Sequence, residues 1–240
     1  MNMNFNNSNA TVGNTFSWSV SNSAPTERAA FIRKTYAHLA VAVLAFIALE
    51  TLLINSPLAL PLLKLMFGVS WLVVLAAFMG ISWLANSWAR SDTSQATQYL
   101  GLGIYIVAET IIFLPLLYIA NQSFPGAIQS AAVVTLGLFA ALTAIVFMKR
   151  KDFTFLGPIL TIVGFTALGV IVCSFLFGFN LGILFSAVMV LFAAGAILYD
   201  TSNVLHNYRP NQYVAASLSL FASVALLFWY ILRIFMSGRR

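Results

Sequence analysis

Two carboxylates lie where lipid should be: Glu109, inside a long apolar stretch, and Asp200, which closes another in the run LYDTSN. An acid at the centre of a membrane span costs about 2.5–3.5 kcal/mol on insertion scales, so such groups mark ion or proton pathways. Pro115, further along the same stretch, removes a backbone donor and frees a carbonyl in the same helix. An acid beside a helix irregularity is the layout of a cation or proton site. A protonated glutamate hydrogen-bonded to a neighbouring helix is the other role that fits Glu109. Asp200 falls at a helix C-terminus, where the macrodipole repels negative charge. It therefore calls for compensation by Arg90, by the Lys149-Arg150-Lys151 cluster or by a bound cation.

Ala216, Ser219, Ser223 and Tyr230 recur at spacings that place them on one helix face. Small and hydroxylated residues on a stripe allow close helix approach and hydrogen bonds across the contact. That makes the last span the central one, enclosed by the other six, with Ser219, Ser223 and Tyr230 on its packing face. His38 reads as a packed interfacial histidine. Glu50, in the same span, approaches the opposite interface, where it can snorkel or stay solvated. Roughly 18 Å of helix separates the two, so they form no common site.

The elements that must carry these residues are membrane helices. Residues 153–199 and 110–148 contain no Asp, Glu, Lys or Arg. Each run is long enough for two crossings at roughly 20 residues apiece. Hydrophobic residues make up 61% of the chain and charged residues 8%, against about 25% charged in soluble domains. The runs are continuous rather than alternating, which selects helices over a barrel. The expected fold is all-α, a polytopic membrane protein with seven spans at 29–53, 68–89, 97–120, 125–148, 155–178, 181–201 and 213–236. Residues 57–66 form either a short interfacial helix or an extension of the second span.

Arg28, Arg33, Lys34, Arg90, Lys149, Arg150, Lys151 and Arg209 fall on one side of such a bundle, and Lys64 on the other. The positive-inside rule then puts the N-terminus in the cytoplasm and the C-terminus outside, although Arg233, Arg239 and Arg240 run against the trend. Residues 1–27, rich in Asn, Ser and Thr, lack a signal peptide's basic start and apolar core and read as a disordered cytoplasmic tail. Residues 28–240 form the membrane domain. Cys173 lies deep in an apolar run and reads as a buried structural thiol. The net charge of +6 is spread over span ends rather than gathered on a nucleic-acid face. No Gly-rich phosphate loop, HExxH, CxxC or GxSxG is present, and two facing intramembrane aspartates are lacking, so neither catalysis nor a metal or cofactor is expected.

Three segments resemble the Bax inhibitor-1 family of seven-helix membrane proteins, in its bacterial YccA-like branch. They are FMKRKDFTFLGPIL at 147–160, ILYDTSNVL at 197–205, and the ending, SLSLF followed by ILRIF and a basic tail. The likeness covers about residues 28–238. It implies a bacterial inner-membrane protein with a pH-sensitive calcium leak governed by two facing aspartates, so calcium ions or protons are the implied permeants. Asp200 matches the first aspartate. The second lies in a family pattern like LYLDFINLF, which reads LFASVALLF at 220–228 and puts Ser223 in its place. The resemblance therefore implies a sensor reduced to half. Some bacterial relatives restrain a membrane-embedded ATP-dependent protease, so a non-transporting regulator that engages such a partner through the Asn-rich tail is the competing role.

Overall fold

The computed structural model describes residues 19–90, 94–149 and 151–238. Residues 1–18 of the expected tail, together with Arg150, Arg239 and Arg240, lie outside the described residues. Among the described residues eight α-helices follow one another: α1 (Pro25–Ile54), α2 (Ala59–Gly68), α3 (Trp71–Ala89), α4 (Gln95–Ser123), α5 (Ala127–Lys149), α6 (Leu156–Phe177), α7 (Ile183–His206) and α8 (Tyr213–Ser237). Seven are long and apolar enough to cross a membrane. α2, with 10 residues, would rise only about 15 Å and cannot. It is the separate short helix that Pro57 and Pro61 allow, not an extension of the second span.

Local chemistry sets the ends of these helices. Pro25 opens α1, where its missing N–H costs nothing. Ser94 caps α4 by accepting from the Thr97 N–H at 3.1 Å. The two loops at the far end turn on glycines with positive φ, Gly126 (79°) and Gly178 (71°), a conformation that side chains disfavour.

The bundle has two inner helices. Buried residues make up 72% of the apolar window of α8 and 67% of that of α4, against 22% or less in the other five spans. α8 packs against α1, α3, α4, α5 and α7, whereas α6 leans on α7 and α3 at the rim. The last span is thus central, with α6 standing off from it. The outward faces carry Met148, Leu184 and Trp83, exposed by 82%, 77% and 75%. Such a belt on seven apolar helices is the surface of a multi-pass membrane protein.

Cys173 corrects the expectation of a buried thiol: it lies exposed on α6. In a membrane protein an apolar run means apolar surroundings, and for the rim helix those are lipid rather than protein.

The base of the tail is also ordered. Val20, 1% exposed, sits in the main core. Its N–H donates to the Tyr208 carbonyl at 2.8 Å, and Ser21 Oγ donates to the His206 carbonyl at 3.2 Å. Residues 19–23 are therefore seated on the turn between α7 and α8, because a single apolar side chain there finds a place in the core.

Gly101 sets a close contact between α3 and α4. A Cβ at this position would fall 2.6 Å from the Ala85 carbonyl oxygen and 2.7 Å from the Ala89 nitrogen, both backbone atoms of α3. We expect Gly101→Ala to force α3 off α4 and to cost about 1–3 kcal/mol. A melt in detergent with unchanged stability would show that the crossing is looser than this.

Candidate functional site

α7 and α8 meet along the stripe seen in the sequence. Ser223 Oγ donates to Asp200 Oδ2 at 2.5 Å. One turn nearer the loop, Ser219 Oγ and the Tyr208 hydroxyl lie 3.0 Å apart. Towards the other end, the Tyr230 ring packs edge-on against Phe185, with centroids 6.0 Å apart. The three stripe residues thus all face α7 or the turn that follows it.

Asp200 is a part-buried acid with a hydroxyl partner. The positive charge of Arg90, at the C-terminus of α3, acts on it, and Arg90 also acts on Tyr208. Gly101, by holding α3 against α4, helps to set where Arg90 emerges. The outer side of Asp200 borders a cleft of about 550 Å³ between the start of α6 and the end of α7, lined by Thr154, Gly157, Pro158, Thr161 and Tyr199.

Glu109 is 5% exposed, in the middle of the inner helix α4. Tyr105 lies one turn before it, and the charges of both Glu109 and Asp200 act on the Tyr105 hydroxyl. Two carboxyls from distant parts of the sequence therefore share one polar interior. The sequence marks neither Tyr105, which resembles any other aromatic residue of an apolar helix, nor Tyr208, which lies in the polar turn after α7.

The two segments of the family-like pattern touch each other. Asp152 Oδ1 accepts from Ser202 Oγ at 3.1 Å and from the Thr154 N–H at 2.9 Å. Ser202 Oγ in turn accepts from the Phe153 N–H at 2.9 Å. Gly157 leaves room for the Tyr199 ring, whose Cε2 would lie 2.9 Å from a Cβ there. The α5–α6 connection is thus clamped onto the end of α7, beside Asp200. Ser202 was another residue that the sequence did not mark.

Asp152 lies outside the spans, and the Thr154 backbone N–H is the main cause holding its carboxyl below the ordinary range. A depressed pKa contributes stability above the unfolded value, about 4, and loses it as the pH falls through the folded value. We expect the melting difference between wild type and Asp152→Asn to be constant from pH 8 to 5 and to fade below about pH 4. A difference that fades between pH 7 and 5 would show that another group holds the clamp.

His38 is packed, as expected of it. Nδ1 lies 2.7 Å from the Lys34 carbonyl and Nε2 3.0 Å from the Tyr99 hydroxyl. Glu50 is not where the sequence put it: it is 4% exposed, and neither carboxylate oxygen has a hydrogen-bond partner. α4 and α8 pack along α1 and bury the Glu50 side chain. Among the described residues no group of three His, Cys, Asp or Glu side chains is placed to hold a metal ion.

Seven apolar helices wrapped around a partly polar interior define a polytopic membrane protein with an enclosed acidic site. The family model described as "Inhibitor of apoptosis-promoting Bax1" matches residues 28–240, so the chain belongs to the Bax inhibitor-1 family. An uncharacterized protein of Pseudomonas aeruginosa is 32% identical over 169 residues, 68% of this chain and 72% of its own length. Protein LIFEGUARD 4 of Arabidopsis thaliana is 29% identical over 219 residues, 88% of this chain and 86% of its own. Bax inhibitor 1 of Schizosaccharomyces pombe is 35% identical over 112 residues, 45% of this chain and 41% of its own length. The family is not a known enzyme family.

Proposed function

We propose that this protein is a cation leak of the bacterial inner membrane, with calcium ions as the permeant and a sensor in which Ser223 stands in for the second aspartate. The observation that carries this reading is the Asp200–Ser223 hydrogen bond between α7 and α8, within reach of the Arg90 charge and beside the α6–α7 cleft. An ionised Asp200 is held by one hydroxyl and one positive charge rather than by a competing carboxyl. Neutral Ser223 cannot share a proton with it as a second aspartate would. Glu109, further into the bundle, supplies the carboxyl whose ionised form a passing cation meets near the midplane.

The orientation proposed places Arg90, Lys149, Lys151 and Arg209 in the cytoplasm together with the chain leading into α1. The inner-membrane location is supported by the bacterial relative. Calcium flux into proteoliposomes, measured from pH 8 to 5, tests the function. We expect flux to vary with pH no more steeply than a single titrating carboxyl allows, at most about tenfold per unit, as befits a site lacking the two-carboxylate switch. No flux above protein-free liposomes at any pH would overturn the reading.

A second reading has one observation in its favour. Val20 and Ser21 dock on the α7–α8 turn, so the Asn-rich segment before them departs from the Asp200 end of the bundle. A membrane-embedded ATP-dependent protease held by that segment would be regulated without ion flux. Deleting residues 1–18 abolishes such regulation and spares the leak; loss of both together would count against two separate roles.

A further inference from the structure

A second cavity lies at the opposite end of the bundle, independent of the site just described. It has a volume of about 450 Å³ between α1, α4, α5 and α8, the size of a small-molecule site. Its walls are apolar and aromatic: Phe46, Phe221 and Phe228 line it together with aliphatic residues. Phe46 and Phe221 pack edge to face with centroids 6.0 Å apart, and Phe228 stacks on Phe113 at 6.0 Å, so these walls are braced. Asn55 and Asn121 stand at the mouth, where α1 and α4 end.

Two buried polar residues line this apolar space, Glu50, 4% exposed, and Thr135, 3% exposed. Neither oxygen of Glu50 nor Thr135 Oγ1 has a hydrogen-bond partner. A buried carboxyl without a hydrogen bond is costly in either protonation state, since the neutral acid also needs an acceptor. Two neighbouring polar groups on α1 and at its end are engaged locally: Thr51 Oγ1 donates to the Ile47 carbonyl at 2.7 Å and Asn55 Nδ2 to the Thr51 carbonyl at 2.7 Å.

We propose that this cavity binds a monovalent organic cation, a primary ammonium carrying an apolar or aromatic body, with Glu50 as its counter-ion and Thr135 as a second acceptor. The chemistry selects this class against its neighbours. Calcium takes six to eight oxygens, and only Glu50 and Thr135 offer buried ones here. A lipid tail would fill the apolar volume yet leave the carboxyl unsatisfied. An ammonium donates three hydrogen bonds, and the phenyl faces attract positive charge while they cover the apolar body.

The test uses the full chain in lipid nanodiscs and the probe 4-fluorophenethylammonium, with the neutral 4-fluorophenethyl alcohol as its isostere. Binding is followed by fluorine NMR against empty discs. The ammonium is expected to bind wild type, to weaken at least about tenfold in Glu50→Gln, a loss equivalent to about 1.4 kcal/mol, and to recover to within a few-fold in Glu50→Asp. Binding of the alcohol changes less than about twofold in Glu50→Gln, while Ala132→Phe, which fills the cavity, removes both ligands. Thermal melts confirm that each variant is folded. Binding of the ammonium equal in wild type and Glu50→Gln, or no greater than to empty discs, overturns the proposal.

Discussion

Replacing Glu109 with glutamine is expected to lower calcium flux in proteoliposomes by about ten- to a hundredfold. The side chain keeps its size, so α4 and its packing stay in place and only the charge is removed. A calcium ion passing a carboxylate at 4 Å gains about 8 kcal/mol at an effective dielectric near 20, twice the unit-charge value, and every 1.36 kcal/mol of barrier is a factor of ten in rate. Most of that gain is lost to desolvation, which brings the effect down to the expected range. Asp200→Asn is expected to have the smaller effect, because Ser223 and Arg90 already occupy much of the Asp200 carboxylate's interaction capacity. Flux that survives Glu109→Gln unchanged but disappears in Asp200→Asn would move the conducting acid from α4 to α7.

Ser223→Asp is expected to make the pH dependence of the leak steeper than the single-carboxyl profile of the wild type. The Ser223 oxygen lies 2.5 Å from an Asp200 oxygen, so an aspartate at this position puts two carboxyls within hydrogen-bonding distance. Such pairs lose their protons in two separated steps, one of them displaced towards neutrality. Sharing a single proton clamps α7 to α8, and losing it drives the two helices apart by like-charge repulsion. The change in flux from pH 8 to 5, measured at half-unit intervals, should be at least about tenfold larger in the variant than in the wild type. The same profile in wild type and variant would show that the contact between α7 and α8 does not gate the path.

Much of this was legible from the chain because the bilayer leaves few choices. Uninterrupted apolar runs mark seven spans, and the spacing of Ser219, Ser223 and Tyr230 puts α8 inside the bundle. Glu109 stood out because an acid is costly in that setting. What escaped notice were properties of packing rather than pattern. Nothing in the sequence of α4 says that it is nearly as enclosed as α8, since both are apolar all round. Cys173 and Glu50 erred in opposite directions for the same reason: depth in the membrane is written in the sequence, but whether a position faces lipid or protein is not. Ser202 became visible only once the α5–α6 connection was seen to fold back on α7.

The seat of Val20 on the α7–α8 turn has a mechanical consequence. The chain ahead of Ser19 is tethered to the turn joining the helices of Asp200 and Ser223 before it reaches α1. Tension applied to the tail is delivered first to that turn, like a cord tied to a hinge rather than to the door frame. A truncation ending before Ser19 keeps the knot, and one that runs through Val20 unties it. The two deletions should therefore behave as different mutations, although they differ by only a few residues.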